Sequence, residues 1–237
     1  MDSLFLSVRL AAIGLGLGLV CQGPACAEEP KPPPCNQDAM IVFDASGSMA
    51  GVVGAGVATT ISRIDEVRSA LAAVLPSATR FRRVGLITYG PGPYNQCNVH
   101  LDLTPTANAA EAIMRVVNAL MPAGKTPLTS AVAQAADVLD YRAKPGVIVV
   151  VTDGEETCGG SPRALAKQLH DEAAQLTIHI ISYRIKGVIW TGDQNFYDAV
   201  SLAEENNGLS ISAETKEDLV SALEKTLDCP MTSQRAP

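Results

Sequence analysis

The chain has 237 residues, and its 18 Lys and Arg against 25 Asp and Glu give a formal net charge of −7 at pH 7. This acidic balance argues against a nucleic-acid-binding surface, which needs clustered positive charge. Hydrophobic residues make up 47% of the chain and charged residues 18%. Such a composition is typical of a protein that buries a core and excludes a mainly disordered chain, and the length fits one domain or at most two.

The first residues have the pattern of a cleaved secretory signal. A single cation, Arg9, precedes the apolar run 10–20, and residues 25–27 supply the small side chains of a cleavage site. A membrane anchor is the weaker alternative, because a membrane-spanning helix needs about 20 apolar residues. We therefore expect residues 1–27 to be removed and the mature protein to be periplasmic or secreted, with no membrane span.

Apolar periodicity from Cys35 onward predicts alternating strands and helices. Strands are expected at 40–43, 84–89, 98–103, 147–151, 177–183 and 209–212, and helices at 63–75, 107–120, 128–139, 162–175, 197–206 and 216–227. The run 147–151 is wholly apolar, as in a strand buried on both faces, and the turn residues 90–93 predict a hairpin. This alternation indicates an α/β sandwich with a mainly parallel sheet. We expect one domain over residues 35–229, after a Pro-rich tether at 28–34 and before a tail at 230–237.

Polar side chains cluster where three of these elements meet one edge of the predicted sheet. Asp44, Ser46 and Ser48 follow the first strand, Thr126 precedes a helix, and Asp153 follows the buried strand. Loops at the carboxyl ends of parallel strands gather on one face, where ligands bind. Two carboxylates and three hydroxyls are oxygen ligands of the kind that Mg²⁺ prefers. Each cluster alone is more often a cap or a turn, but together they predict a divalent metal site. In an extended turn the first three side chains would point the same way.

The pattern Asp44-x-Ser46-x-Ser48, with Thr126 in G-x-T-P-L and Asp153 in T-D-G, resembles the metal-ion-dependent adhesion site of von Willebrand factor type A domains. The resemblance covers roughly the whole mature domain and implies a Rossmann-like three-layer sandwich with helices on both faces and one antiparallel edge strand. It implies that the first four residues contact Mg²⁺, with Mn²⁺ or Ca²⁺ as alternatives, directly or through water. By the same resemblance, Asp153 holds a bound water or the ion itself.

The resemblance also implies a partner. A protein ligand would complete the coordination of the cation with an Asp or Glu carboxylate. Lys125 departs from the family pattern, which usually has a small residue there, and its ammonium would either disturb the loop or attract an acidic partner. We therefore expect a protein-binding module that serves adhesion or assembly and is not an enzyme.

Two other functions are less favoured by the residues. Segment 51–56 resembles part of a dinucleotide-binding glycine fingerprint, but residues 46–50 separate it from the strand and no acid lies about 20 residues further on. Catalysis by a serine is disfavoured because none of the three histidines falls in a loop at the ligand-binding edge. A Mg²⁺-dependent hydrolase of unknown substrate stays open as the alternative.

Six cysteines are present, of which Cys21 and Cys26 lie in the predicted signal, where a lipid anchor is the weaker alternative to cleavage. An oxidising compartment favours two disulfides among the other four, whereas zinc is disfavoured because no two of them form a C-x-x-C pair. Spacing alone allows three pairings, and the topology selects among them. Two cysteines fall in loops at the ligand-binding edge and two at the opposite end of the domain. The expected pairs are Cys97 with Cys158 and Cys35 with Cys229.

Overall fold

The computed structural model describes Cys35 and residues 37–53, 61–184 and 194–229. The predicted signal, tether and tail lie outside these residues, as do residues 54–60 of the glycine-rich segment. No helix within the described ranges combines the length and apolar character needed to cross a bilayer.

Strands and helices alternate along the described chain, as the periodicity predicts. The strands are β1 Asp38–Asp44, β2 Val52–Val53, β3 Ile61–Ser62, β4 Val84–Tyr89, β5 Val99–Thr106, β6 Pro145–Thr152, β7 Gln175–Tyr183 and β8 Ser210–Ala213. The described helices are α1 Arg63–Phe81, α2 Ala110–Ala119, α3 Leu128–Val138, α4 Pro162–Glu172, α5 Gln194–Glu205 and α6 Lys216–Leu227, and Gly47–Ala50 form a single 3₁₀ turn.

A six-stranded sheet of order β5-β4-β1-β6-β7-β8 forms the centre of the domain. Its neighbouring strands are parallel except at one edge, where β5 runs antiparallel to β4. The predicted mostly parallel α/β sandwich with one antiparallel edge strand is confirmed. After β1 the chain forms β4 and β5 on one side of it and then β6, β7 and β8 on the other, so the strand order reverses at β1. Such a switch opens a crevice at the carboxyl ends of the strands, which we call the top edge.

Side chains of the sheet alternate between two apolar cores. Ile41 and Phe43 of β1 pack into the core shared with α1, α2 and α6. Met40 and Val42 point the other way, into the core shared with α3, α4 and α5. Because both faces of β1 and β6 are covered by helices, these strands are apolar at consecutive positions.

Helix α1 is longer than predicted, because it passes through Pro76 and ends at Phe81. The prediction that it ends at residue 75 is wrong. Proline removes the backbone donor that would bond to the carbonyl four residues earlier. Ser77 and Thr79 donate their hydroxyls to other carbonyls of the helix, those of Val74 and Leu75, at 2.8 Å each. The buried last turn continues the apolar face of the helix, so packing outweighs the proline.

Strand β5 also extends beyond its predicted end, through Pro105 to Thr106. A proline is tolerated there because β5 lies at the edge of the sheet, where one row of backbone groups has no neighbouring strand. The helix predicted from residue 107 therefore begins later, at Ala110.

Two disulfides fasten the domain, and their pairing is the one expected from the topology. Cys35 is joined to Cys229 with Cα atoms 5.6 Å apart, which ties the start of the domain to the end of α6. Cys97 is joined to Cys158 with Cα atoms 6.0 Å apart, which ties two loops together at the top edge.

Candidate metal site

Asp44 is the last residue of β1, and its side chain is fully buried at the top edge. Its Oδ1 accepts a hydrogen bond from the backbone N–H of Ser46 and its Oδ2 accepts one from the hydroxyl of Thr152, both at 2.7 Å. Burial and the nearby charge of Asp153 raise the pKa of Asp44 to about 6, although these hydrogen bonds oppose the rise. Two acids buried close together form a site that favours a cation.

The two serines link Asp44 to Asp153. Ser46 Oγ lies 3.0 Å from Ser48 Oγ, and Ser48 donates its hydroxyl to Asp153 Oδ1 at 2.5 Å. Ser48 belongs to the 3₁₀ turn, so the extended turn expected over these residues is wrong beyond Ser46. The tighter turn nevertheless brings both hydroxyls to one side. Adjacent ligand oxygens around an octahedral Mg²⁺ with bonds of about 2.1 Å lie about 3.0 Å apart. The distance between the two serine Oγ atoms has this value.

Thr126 faces the same space from the loop before α3. A Cβ placed on Gly154 would lie 3.5 Å from Ser48 Oγ and 3.8 Å from Thr126 Oγ1, so both hydroxyls border the gap that this glycine leaves. The Thr126 N–H donates to Thr157 Oγ1 at 2.8 Å, and the Thr157 N–H donates to the Thr126 carbonyl at 3.0 Å. The structure therefore brings together the side chains of all five residues singled out in the sequence.

Backbone hydrogen bonds fix the loops around this cluster. The Gly47 N–H donates to the Gly124 carbonyl at 2.9 Å, and the Gly124 N–H donates to the Gly90 carbonyl at 2.7 Å. Gly90 has a φ of +79°, and a Cβ there would lie 2.6 Å from the Ser46 Cα, so only glycine fits. The Lys125 N–H donates to the Gln96 carbonyl at 2.9 Å while its side chain is exposed. Lys125 therefore fits the loop without disturbing it.

Two residues of the site were not singled out in the sequence. Thr152, which holds Asp44, is the last residue of β6, and in the sequence it is part of the T-D-G motif without a role of its own. Arg63 donates from Nη1 to Asp153 Oδ2 at 2.7 Å, and the Asp153 side chain is fully buried. Arg63 is the first residue of α1, where the helix dipole favours acids. A basic residue at that position could have indicated a partner outside the helix.

The donor set fits a hard divalent cation in type and in spacing. It consists of oxygen atoms alone, supplied by two buried carboxylates and three hydroxyls. One guanidinium, that of Arg63, offsets part of the negative charge. The hydroxyl of Tyr89 is buried without a hydrogen-bond partner among the described residues, and the charge of Asp44 adds to burial in raising its pKa. A buried polar atom without a partner beside the acids is the kind of group that a bound water or ligand satisfies.

Comparison with known proteins agrees with this fold. Residues 39–156 match the family model of the von Willebrand factor type A domain, and this range includes all five residues of the cluster. The protein contains a von Willebrand factor type A domain. The uncharacterised protein YwmC of Bacillus subtilis (strain 168) is 30% identical over 153 residues, which are 62% of this chain and 66% of YwmC.

Solved structures with low sequence identity share the fold. An aerotolerance-related membrane protein from Bacteroides fragilis superimposes with a TM-score of 0.58 at 19% identity, over 81% of this chain and 98% of that one. The PilB minor pilin of Streptococcus sanguinis superimposes with a TM-score of 0.62 at 16% identity, over 84% of this chain and 62% of the pilin chain.

Proposed function

We propose that the protein is an exported, metal-dependent protein-binding module of the periplasm or the extracellular space. In this proposal the cluster at the top edge holds one Mg²⁺, with Mn²⁺ or Ca²⁺ as alternatives, and the partner presents an Asp or Glu carboxylate to the ion. The observation that carries the proposal is the chain of contacts from Asp44 through Ser46 and Ser48 to Asp153.

The charges of the cluster support capture of an acidic group. Asp44 and Asp153 would only neutralise a divalent ion, while Ser46, Ser48 and Thr126 offer uncharged oxygens. Arg63 already pairs with Asp153, so the site as a whole keeps positive character towards an incoming ligand. When bound, the cation supplies a positive charge that a partner's carboxylate can reach.

An apolar rim around the cluster supports a protein partner. Tyr94 is 78% exposed and Met121 is 76% exposed, and both lie on segments joined to the site loops by backbone contacts. Val52 and Ile61, on the short strands that follow the 3₁₀ turn, are 58% and 44% exposed. Exposed aromatic and Met side chains are typical of protein interfaces. We assign the anchoring of the partner to the cation and the recognition of its shape to this apolar rim.

The solved relatives support export and protein contact without defining a partner. One is described as a membrane protein and another as a minor pilin, both of which belong at the cell envelope or surface. The predicted signal at residues 1–27 points to the same location. The two predicted disulfides also favour an oxidising compartment.

A Mg²⁺-dependent hydrolase is the second candidate, since a bound cation can activate water. It is less favoured because no histidine of the described residues hydrogen-bonds to Ser46 or Ser48. His170 contacts the Glu205 carbonyl through a ring nitrogen, and His179 accepts a hydrogen bond from the Leu209 N–H. Both contacts lie in other parts of the domain. Metal-dependent turnover of a phosphoester or peptide substrate would favour this candidate.

Capture of a partner tests the proposal. The mature protein is immobilised and exposed to exported proteins of its own source with Mg²⁺ and then with a chelator. The matched baits are Asp44→Ala and Asp171→Ala, the second of which removes an exposed acid of α4. We expect wild type and Asp171→Ala to retain the same protein only with Mg²⁺, and Asp44→Ala not to retain it. Retention that survives both the chelator and Asp44→Ala would overturn the proposed function.

A further inference from the structure

A second polar site lies at the bottom edge of the sheet, where the parallel strands begin. A cavity of about 290 Å³ opens there between the starts of β6 and β7 and the end of α6. Its polar lining comprises Gln37, Arg82, Thr177, His179, Lys225, Thr226 and Asp228. None of these residues belongs to the candidate metal site, which lies at the opposite edge.

Arg82 is the unusual member of this lining. It is 4% exposed, and its Nε and Nη1 are buried with no hydrogen-bond partner among the described residues. Burial lowers the pKa of its guanidinium, and the charge of Asp228 offsets this effect only in part. Buried charges are normally paired, so two unpaired donors of a buried guanidinium call for an acceptor.

The other lining residues add mostly hydrogen-bond donors. The Leu209 N–H donates to His179 Nδ1 at 3.0 Å, so the neutral imidazole carries its proton on Nε2. Lys225, an exposed residue in the last turn of α6, adds a second positive charge. Asp228 is the one carboxylate in the lining. Two cations and a neutral imidazole donor against one carboxylate give the cavity a net attraction for anions.

We propose that this cavity binds a small oxyanion, with the guanidinium of Arg82 as its principal ligand. A planar guanidinium can donate two parallel hydrogen bonds to phosphate or carboxylate oxygens. Since a water molecule takes about 30 Å³ of liquid volume, the cavity has room for such an anion together with several waters. The proposal is independent of metal binding at the top edge.

Titration with inorganic phosphate, and separately with acetate, tests the site at constant ionic strength in chloride buffer. The readouts are the imidazole NMR signals of the histidines and the melting temperature. We expect at least one of the two anions to shift the His179 signals saturably while those of His100 and His170 stay in place, and to raise the melting temperature. The anion that saturates identifies the ligand as a tetrahedral oxyanion or a carboxylate.

Variants separate this site from general salt effects. Arg82→Met should abolish the saturable shift, whereas Arg115→Met, which removes an exposed arginine paired with Glu111, should keep it. Lys225→Gln should weaken the binding of the anion several-fold. Because it alters an exposed residue, it leaves folding intact and keeps the test valid if Arg82→Met fails to fold. A wild-type protein that saturates with neither anion at tens of millimolar would overturn the proposal. An unchanged saturable shift of the His179 signals in Arg82→Met would overturn it as well. If Arg82→Met does not fold, the same result in Lys225→Gln would do so.

Discussion

Arg63 and Asp153 form an ion pair at the candidate metal site, with Nη1 and Oδ2 2.7 Å apart. The Asp153 side chain is fully buried and that of Arg63 is 30% exposed. The same carboxylate accepts a hydrogen bond from Ser48 through its other oxygen. One guanidinium thus holds the carboxylate that a divalent cation would also use, so arginine and metal compete for the charge of Asp153.

Arg63→Gln should strengthen Mg²⁺ binding. Loss of the guanidinium removes the competing positive charge, which we expect to tighten binding about fivefold, the equivalent of about 1 kcal/mol for a partly exposed pair. Without metal, the variant should melt below wild type because Asp153 loses its partner. Calorimetric titration measures the first effect and thermal unfolding the second. Arg115→Gln serves as the control, and weaker Mg²⁺ binding in Arg63→Gln would contradict the competition.

The two disulfides should contribute unequally to stability. In the chain-entropy model, the Cys35–Cys229 link, with a separation of 194 residues, is worth about 5 kcal/mol. The Cys97–Cys158 link, with a separation of 61, is worth about 4 kcal/mol. Replacing each pair by serine and measuring urea unfolding checks the order. Because the second link ties loops at the top edge, its loss should also weaken metal binding, whereas loss of the first should not.

His179 should destabilise the fold as the pH decreases from 7 towards 4, whereas the raised pKa of Asp44 acts in the opposite direction over the same range. Burial and the charge of Arg82 lower the pKa of His179 to about 4, against 6.5 when unfolded. Between these values the unfolded chain binds more protons, so acid favours unfolding. Allowing for its partial exposure, we expect His179 to contribute a loss of about 1 kcal/mol to the free energy of unfolding between pH 7 and pH 5. Measured by urea unfolding, His179→Gln should lose less stability than wild type, or gain more, on going from pH 7 to pH 5, and an equal change in the two proteins would exclude this role.

The apolar rim should contribute to partner affinity but not to metal affinity. Tyr94→Ala or Met121→Ala removes exposed apolar surface and leaves every predicted ligand of the cation in place. We expect each to weaken capture of the partner by about tenfold or more, as for an interface residue worth more than about 1 kcal/mol. Titration with Mg²⁺ should give the wild-type affinity for both variants. A changed Mg²⁺ affinity would show that these residues support the site itself.

The central fold could be predicted because its strands are buried on both faces. The apolar run over 147–151 and the helical spacing of 216–227 correspond closely to β6 and α6. The end of α1 could not be predicted, because the packing that carries the helix past Pro76 forms only in the folded chain. Local rules fail where tertiary contacts outweigh them.

The five predicted ligands lie together because each stands next to a strand end or helix start that the periodicity locates. The partners of their side chains could not be predicted in the same way. Thr152 and Asp44 are distant in sequence and meet only because β6 pairs with β1. Arg63 reaches Asp153 only because α1 begins at the top edge of the folded domain.

Calorimetric titration of the mature protein with Mg²⁺ and Mn²⁺, repeated on Asp44→Ala, tests the central claim most directly. We predict one bound ion per chain for wild type, an increase in melting temperature that follows the concentration of free metal, and neither effect in a folded Asp44→Ala variant. Asp171→Ala should behave as wild type. No binding to wild type at millimolar metal, or binding that persists unchanged in Asp44→Ala, would contradict the account.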